Sequence, residues 1–166
     1  MNVALSVFTP VVTLLGVALG GWLTTRNQER LWRRDHARRW RDVRLSAYTD
    51  FLSAYREYIA YAQDPDAHIT AAPHPRGRDY VVPFFDETGR PYREKLEGAM
   101  MAIRLVSARR ETPDTAKNLV DHARRVAAAR ATHSAHEIPR ELFDELWLAV
   151  QRFLAAARHE LDLPTT

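Results

Sequence analysis

Apolar positions along this chain follow two regimes. Val3 to Leu23 is an uncharged, largely apolar run of 21 residues with no polar face. As a helix it would be about 31 Å long, close to the hydrocarbon thickness of a bilayer. Beyond it the apolar residues become periodic. Leu45, Tyr48, Leu52, Tyr55, Ile59 and Ala62 recur in steps of three and four, with Phe51 and Tyr58 widening the stripe, and no Gly or Pro falls between Thr24 and Ala62. That spacing predicts one amphipathic helix, stopped by Asp64-Pro65-Asp66. With no breaker between them, the apolar run and this helix are expected to form one rod of roughly 60 residues, with Gly20-Gly21 its weak point.

Three further helices are predicted. Tyr92, Leu96, Ala99, Ile103 and Val106 mark a second, with Pro91 in its first turn and its end near Arg110. Thr112-Pro113-Asp114 reads as the start of a third, with Leu119, Ala123, Val126 and Ala127 on one face. A fourth begins near Pro139 and carries Phe143, Leu146, Trp147, Val150, Phe153, Leu154, Ala157 and Leu161, the strongest stripe in the chain. It is expected at the centre of the core, packed on residues 45–62 through Phe143, Trp147, Val150 and Leu154. Residues 63–90 contain Pro65, Pro73, Pro75, Pro83, Gly77 and Gly89, which interrupt any sustained helical period, and no segment of the chain shows a convincing strand alternation, so they read as a Pro-rich loop. Its VVPFF segment, Val81 to Phe85, folds back on the bundle or binds a partner. The predicted class is all-α, an N-terminal transmembrane helix continuing into an antiparallel bundle of about four helices. The divisions are 1–25 anchor, 26–62 basic juxtamembrane segment and first bundle helix, 63–90 loop, and 91–163 the remaining helices.

Charge sharpens this picture at one place. Met1 to Thr25 has no ionisable side chain, whereas Arg26 to Arg44 holds eight arginines against Glu29, Asp35 and Asp42. A positive flank after an apolar run orients a span with the N-terminus outside and the rest cytoplasmic, and Trp22 marks the exit at the headgroup level. Trp22, Arg26, Arg30, Arg33, Arg34, Arg38, Arg39 and Arg41 are the expected contacts to anionic lipid headgroups. Gly16 and Gly20 form a G-x-x-x-G that suits self-association of the span. Trp32 and Trp40 interleave with the arginines, which makes nucleic-acid binding by the same helix the second reading. Glu29–Arg33 and Asp35–Arg39 have the spacing of stabilising i,i+4 pairs.

Elsewhere the composition excludes more than it suggests. The 166 residues fit one domain plus an appendage, and the absence of cysteine removes disulfides, thiolate metal sites and cysteine nucleophiles. The net charge of +3 is modest, and only Lys95 and Lys117 among the 24 basic residues are lysines. His133, His136 and Glu137 form the best metal-like cluster, but they lie at an expected turn and lack the H-E-x-x-H pattern. His36, His68, His74, His122 and His159 are isolated in sequence, and no Glu-x-x-His occurs to build a di-metal bundle site. No phosphate-cradling glycine loop or nucleophile elbow is present. No enzyme, metal or cofactor is expected, and a metal-dependent enzyme through His133, His136 and Glu137 is the third reading, behind the membrane-anchored module and the nucleic-acid binder.

The segments RLSAYTDFLSAYREY (Arg44 to Tyr58), AMMAIRLVSARRETPDTAKNLVDHA (Ala99 to Ala123) and FLAAARHELDL (Phe153 to Leu163) resemble the membrane-anchored helical proteins of high-GC actinobacteria. Those uncharacterised proteins combine one N-terminal span, an Arg-rich exit and an R-x-x-x-Y helix. The resemblance leaves residues 64–90 unmatched and implies neither an activity nor site residues. The expectation is a membrane-anchored interaction or structural module, whose partner is the lipid membrane together with a second protein or a second copy of the chain.

Overall fold

The computed structural model describes residue 32, residues 35–74 and residues 77–164. The expected span, with Gly16, Gly20 and Trp22, and the arginines 26, 30, 33 and 34 lie outside the described residues. The chain divides into two units, 1–41 and 42–166. Among the described residues no helix is long and apolar enough to cross a membrane.

Residues 35–63 are helical, here α1, in line with the uninterrupted helical pattern over that range. Its core face, however, is rotated from the predicted stripe. Ala47, Tyr48, Phe51, Ala54, Tyr58, Tyr61 and Ala62 are buried, whereas Leu45 is 46% exposed and Leu52, Tyr55 and Ile59 only border the core. The aromatic partners set this rotation. Phe51 and Tyr48 pack edge-on against Phe153 of the last helix, with centroid separations of 5.0 and 6.0 Å, and Tyr58 meets Phe85 at 5.0 Å. These rings carry more buried area than the aliphatic residues beside them, so their face wins the interior.

The expected loop contains a β-hairpin. Asp64 accepts the Asp66 amide on its side chain and the Ala67 amide on its carbonyl, which turns the chain at the end of α1. Strand β1 (Ile69–His74) then pairs antiparallel with β2 (Gly77–Phe85), from Ile69↔Phe85 through Pro73↔Val81, with an irregularity between Pro73 and His74. The prolines here break a helical period, and proline is disfavoured inside a sheet as well. A two-stranded ribbon is all edge, however, and it accommodates proline where the missing N–H would face away from the partner. Ile69 and Pro83 are buried and β2 packs on α3, so Val81 to Phe85 does fold back over the helices.

Helices α2 (Arg90–Val106), α3 (Glu111–Ala129) and α4 (Arg140–Glu160) complete the bundle, with α2 against α3 and α3 against α4. Pro91 occupies the first turn of α2, and Pro139 immediately precedes α4. Helix α2 stops four residues before the predicted end, because Ser107 is extended (φ −68°, ψ 131°) and begins a corner into α3. The interior is rich in alanine: Ala116, Ala123 and Ala127 of α3 and Ala149, Ala156 and Ala157 of α4 are buried, which permits close helix approach. Trp147, expected in the core, is 63% exposed, and Phe143 and Leu154 are only partly buried. A stripe as wide as that of α4 exceeds what its neighbours cover, and the small residues, Leu146, Val150 and Phe153 take the inside.

Candidate functional site

In the first unit the three described aromatic residues form one ladder. His36 stacks on Trp32 with centroids 5.2 Å apart and planes 13° apart, and it meets Trp40 edge-on at 6.2 Å and 75°. The Trp40 indole N–H donates to His36 Nε2 at 2.9 Å, which places the neutral imidazole's proton on Nδ1. Steps of four residues put all three on one helix face. Trp32 and Trp40 remain 68% and 43% exposed, and Arg38, Arg39 and Arg41 are exposed as well. Asp35 and Arg39 do not form the predicted ion pair, and among the described residues no carboxylate pairs with these three guanidiniums. His36 had looked isolated, although W-x-x-x-H-x-x-x-W is legible once i,i+4 stacking is sought.

In the second unit Arg44, the last arginine of the basic run, is committed to the bundle. Its Nε donates to the Val106 carbonyl at 2.9 Å and lies 3.5 Å from Glu160 Oε1. The Glu160 side chain is 2% exposed and fully engaged. The Ala108 amide donates to its Oε1 at 2.6 Å and the Thr112 hydroxyl to its Oε2 at 2.5 Å. Tyr48 and Ser107 hydroxyls meet at 3.2 Å beside it. Burial raises the Tyr48 hydroxyl's pKa, with the Ser107 hydrogen bond opposing and the Glu160 charge adding to the rise. This carboxylate joins α1, the α2–α3 corner and α4 at one end of the bundle. Sequence spacing could not have found it, because its partners lie 48 and 52 residues away.

Two other regions invite a ligand. Between α2 and α3 runs a groove of about 420 Å³ floored by Met100 and Val120 and edged by Gly98 and Met101. Four of its rim charges are paired, Arg124 with Glu97 at 3.4 Å and Lys117 with Asp121 at 2.8 Å, and Arg104 also lines it. The His133–Glu137 segment is a turn in which the Ser134 amide and hydroxyl both donate to Glu137 Oε2, at 3.2 and 2.8 Å. Those bonds hold the Glu137 carboxyl below its ordinary pKa. His133 Nδ1 faces the Thr132 hydroxyl and the Ala129 carbonyl. Among the described residues no three potential metal ligands converge.

No protein family, no curated protein and no solved structure matches this chain.

Proposed function

We propose that this chain is a membrane-anchored helical bundle acting as an interaction or structural module, with its Arg/Trp-rich helix lying against anionic lipid. The observation that carries this reading is the exposed Trp32–His36–Trp40 ladder accompanied by Arg38, Arg39 and Arg41, none of which is paired with a carboxylate among the described residues. Indoles favour the boundary between hydrocarbon and headgroups, and each basic residue held near an anionic leaflet contributes about 1 kcal/mol. An uncharged apolar run precedes this helix in the sequence and supplies the anchor, N-terminus outside and bundle in the cytoplasm. Gly16 and Gly20 offer a face for pairing two spans.

The chain lacks cysteine, so one introduced thiol reports one position. With the full chain in membranes, washing in high salt and alkaline carbonate should leave it in the membrane fraction. An environment-sensitive probe on Ala37→Cys should report the headgroup region in vesicles containing phosphatidylserine. Release by carbonate rejects the anchor. A water-exposed probe rejects the lipid contact, and stronger protection of that probe by duplex DNA than by anionic vesicles promotes the nucleic-acid reading in its place.

A further inference from the structure

The α2–α3 corner, residues 104–110, forms a second basic and apolar surface, and it belongs to the folded bundle. Leu105 is 84% exposed, more than any other large apolar side chain among the described residues. Arg104, Arg109 and Arg110 surround it in sequence and are exposed. Among the described residues, none of the three forms an ion pair with a carboxylate. Arg104 touches the Met101 sulfur at 3.8 Å, and Arg109 approaches both ring nitrogens of His159 at 3.1 and 3.2 Å. Glu111 is the acidic neighbour, 3.9 Å from His159.

An isolated exposed leucine is ordinary. This one projects from a corner pinned on several sides: Val106 by Arg44, Ser107 by Tyr48, and Ala108 and Thr112 by Glu160. The order of the corner is therefore established before any ligand arrives, which lowers the entropic cost of binding. Its place in the bundle matters too. The second unit begins at Asp42, and Arg44, two residues later, is bonded to Val106, so the corner lies beside the first residues of that unit.

We propose that Leu105, Arg104, Arg109 and Arg110 form a second contact with an anionic lipid surface, the leucine entering the headgroup boundary and the guanidiniums meeting phosphates. This inference rests on the membrane reading above and adds that the bundle is docked on the leaflet as well as tethered to it. Three exposed cations within five residues of one exposed leucine, on a single corner, complement a surface with negative headgroups over an apolar interior.

The test uses the full chain in vesicles of phosphatidylcholine, with or without phosphatidylserine, and a probe on Ala108→Cys. Lipid-borne quenchers should reach this probe when phosphatidylserine is present, while a probe on Ala131→Cys, beyond the opposite end of α3, stays in water. Neutralising any one arginine as Arg104→Gln, Arg109→Gln or Arg110→Gln should weaken the docked state about fivefold. Leu105→Ser should remove most of the quenching without lowering the melting temperature. An unquenched Ala108 probe beside a quenched Ala37 probe overturns the docking alone. Both unquenched overturn the docking and the lipid reading together. Equal quenching without phosphatidylserine, or preferential protection of the Ala108 probe by duplex DNA, also overturns it.

Discussion

Glu160, at the end of α4, accepts a 2.5 Å hydrogen bond from Thr112 in the first turn of α3, although 48 residues separate them in the chain. The same carboxylate binds the Ala108 amide and faces Arg44, so it closes one end of the bundle around a single buried charge. Removing one side of such an arrangement leaves the remaining buried groups without partners. Glu160→Ala is expected to destabilise the fold by about 3 kcal/mol, measured by chemical denaturation. Thr112→Val should lose about 1–2 kcal/mol, since it removes one donor and preserves the shape. A Glu160→Ala protein as stable as the parent would show that this network contributes nothing to holding the corner.

Trp147 and Phe153 lie six residues apart on α4, and the structure assigns them opposite roles. Phe153 is fully buried between Tyr48 and Phe51, and Phe153→Ala should lose about 3–5 kcal/mol. Trp147, 63% exposed, should tolerate Trp147→Ser within about 0.5 kcal/mol. Comparable losses for the two would return Trp147 to the core, where hydropathy alone had put it.

Gly89 is needed for space. A Cβ there would lie 2.4 Å from the Tyr61 ring and 2.7 Å from Phe85. Neither ring can easily yield, because Tyr61 stacks on Tyr92 at 5.2 Å and its hydroxyl donates to Asp86 at 2.6 Å. We expect Gly89→Ala to lower stability by about 1–3 kcal/mol, visible as a reduced denaturation midpoint. Gly98 is the control, since a Cβ at that position meets nothing within 4 Å. Gly98→Ala should raise stability by up to about 1 kcal/mol through helix propensity.

Asp86 confers a pH dependence of defined sign. The Tyr61 hydroxyl and then the Gly89 amide donate to its carboxylate and hold its pKa below the ordinary value. Burial, reinforced by Asp86, pushes the Tyr61 hydroxyl up to about 12. A depressed carboxylate stabilises the fold above its unfolded pKa, about 3.9, and that contribution disappears as pH falls through the folded value. Asp86→Asn should therefore flatten the acid limb of the melting-temperature profile below about pH 4 while changing its slope little near neutrality. Glu57, held low chiefly by its bonds to Lys95, acts in the same window, so the limb should shrink without vanishing.

The helices were legible because each carries its own periodic signal. The steps of three and four in residues 45–62, 92–106 and 143–161 located α1, α2 and α4, and Pro91 and Pro139 marked two starts. Arg38, Arg39, Arg41 and Trp40 stand out in the sequence as part of a basic and aromatic segment. Their ladder through His36 follows from i,i+4 geometry and needs no tertiary fold.

What only the tertiary structure decided was every choice between surfaces of equal local merit. Hydropathy ranks Leu45 and Trp147 with core residues, but which face turns inward depends on ring partners from another element, here Phe153 against Tyr48 and Phe51. Pro73 and Pro83 interrupt a helical period without marking a strand, and the hairpin forms because its two strands pair with each other and rest on α3 and, through Phe85, on Tyr58 of α1. The corner at Ser107 and the buried Glu160 depend on contacts across 48 to 62 residues, beyond the reach of any local pattern. Periodicity fixes which residues can share a face, and packing chooses among those faces, because only the assembled core determines which groups lose water and which keep it.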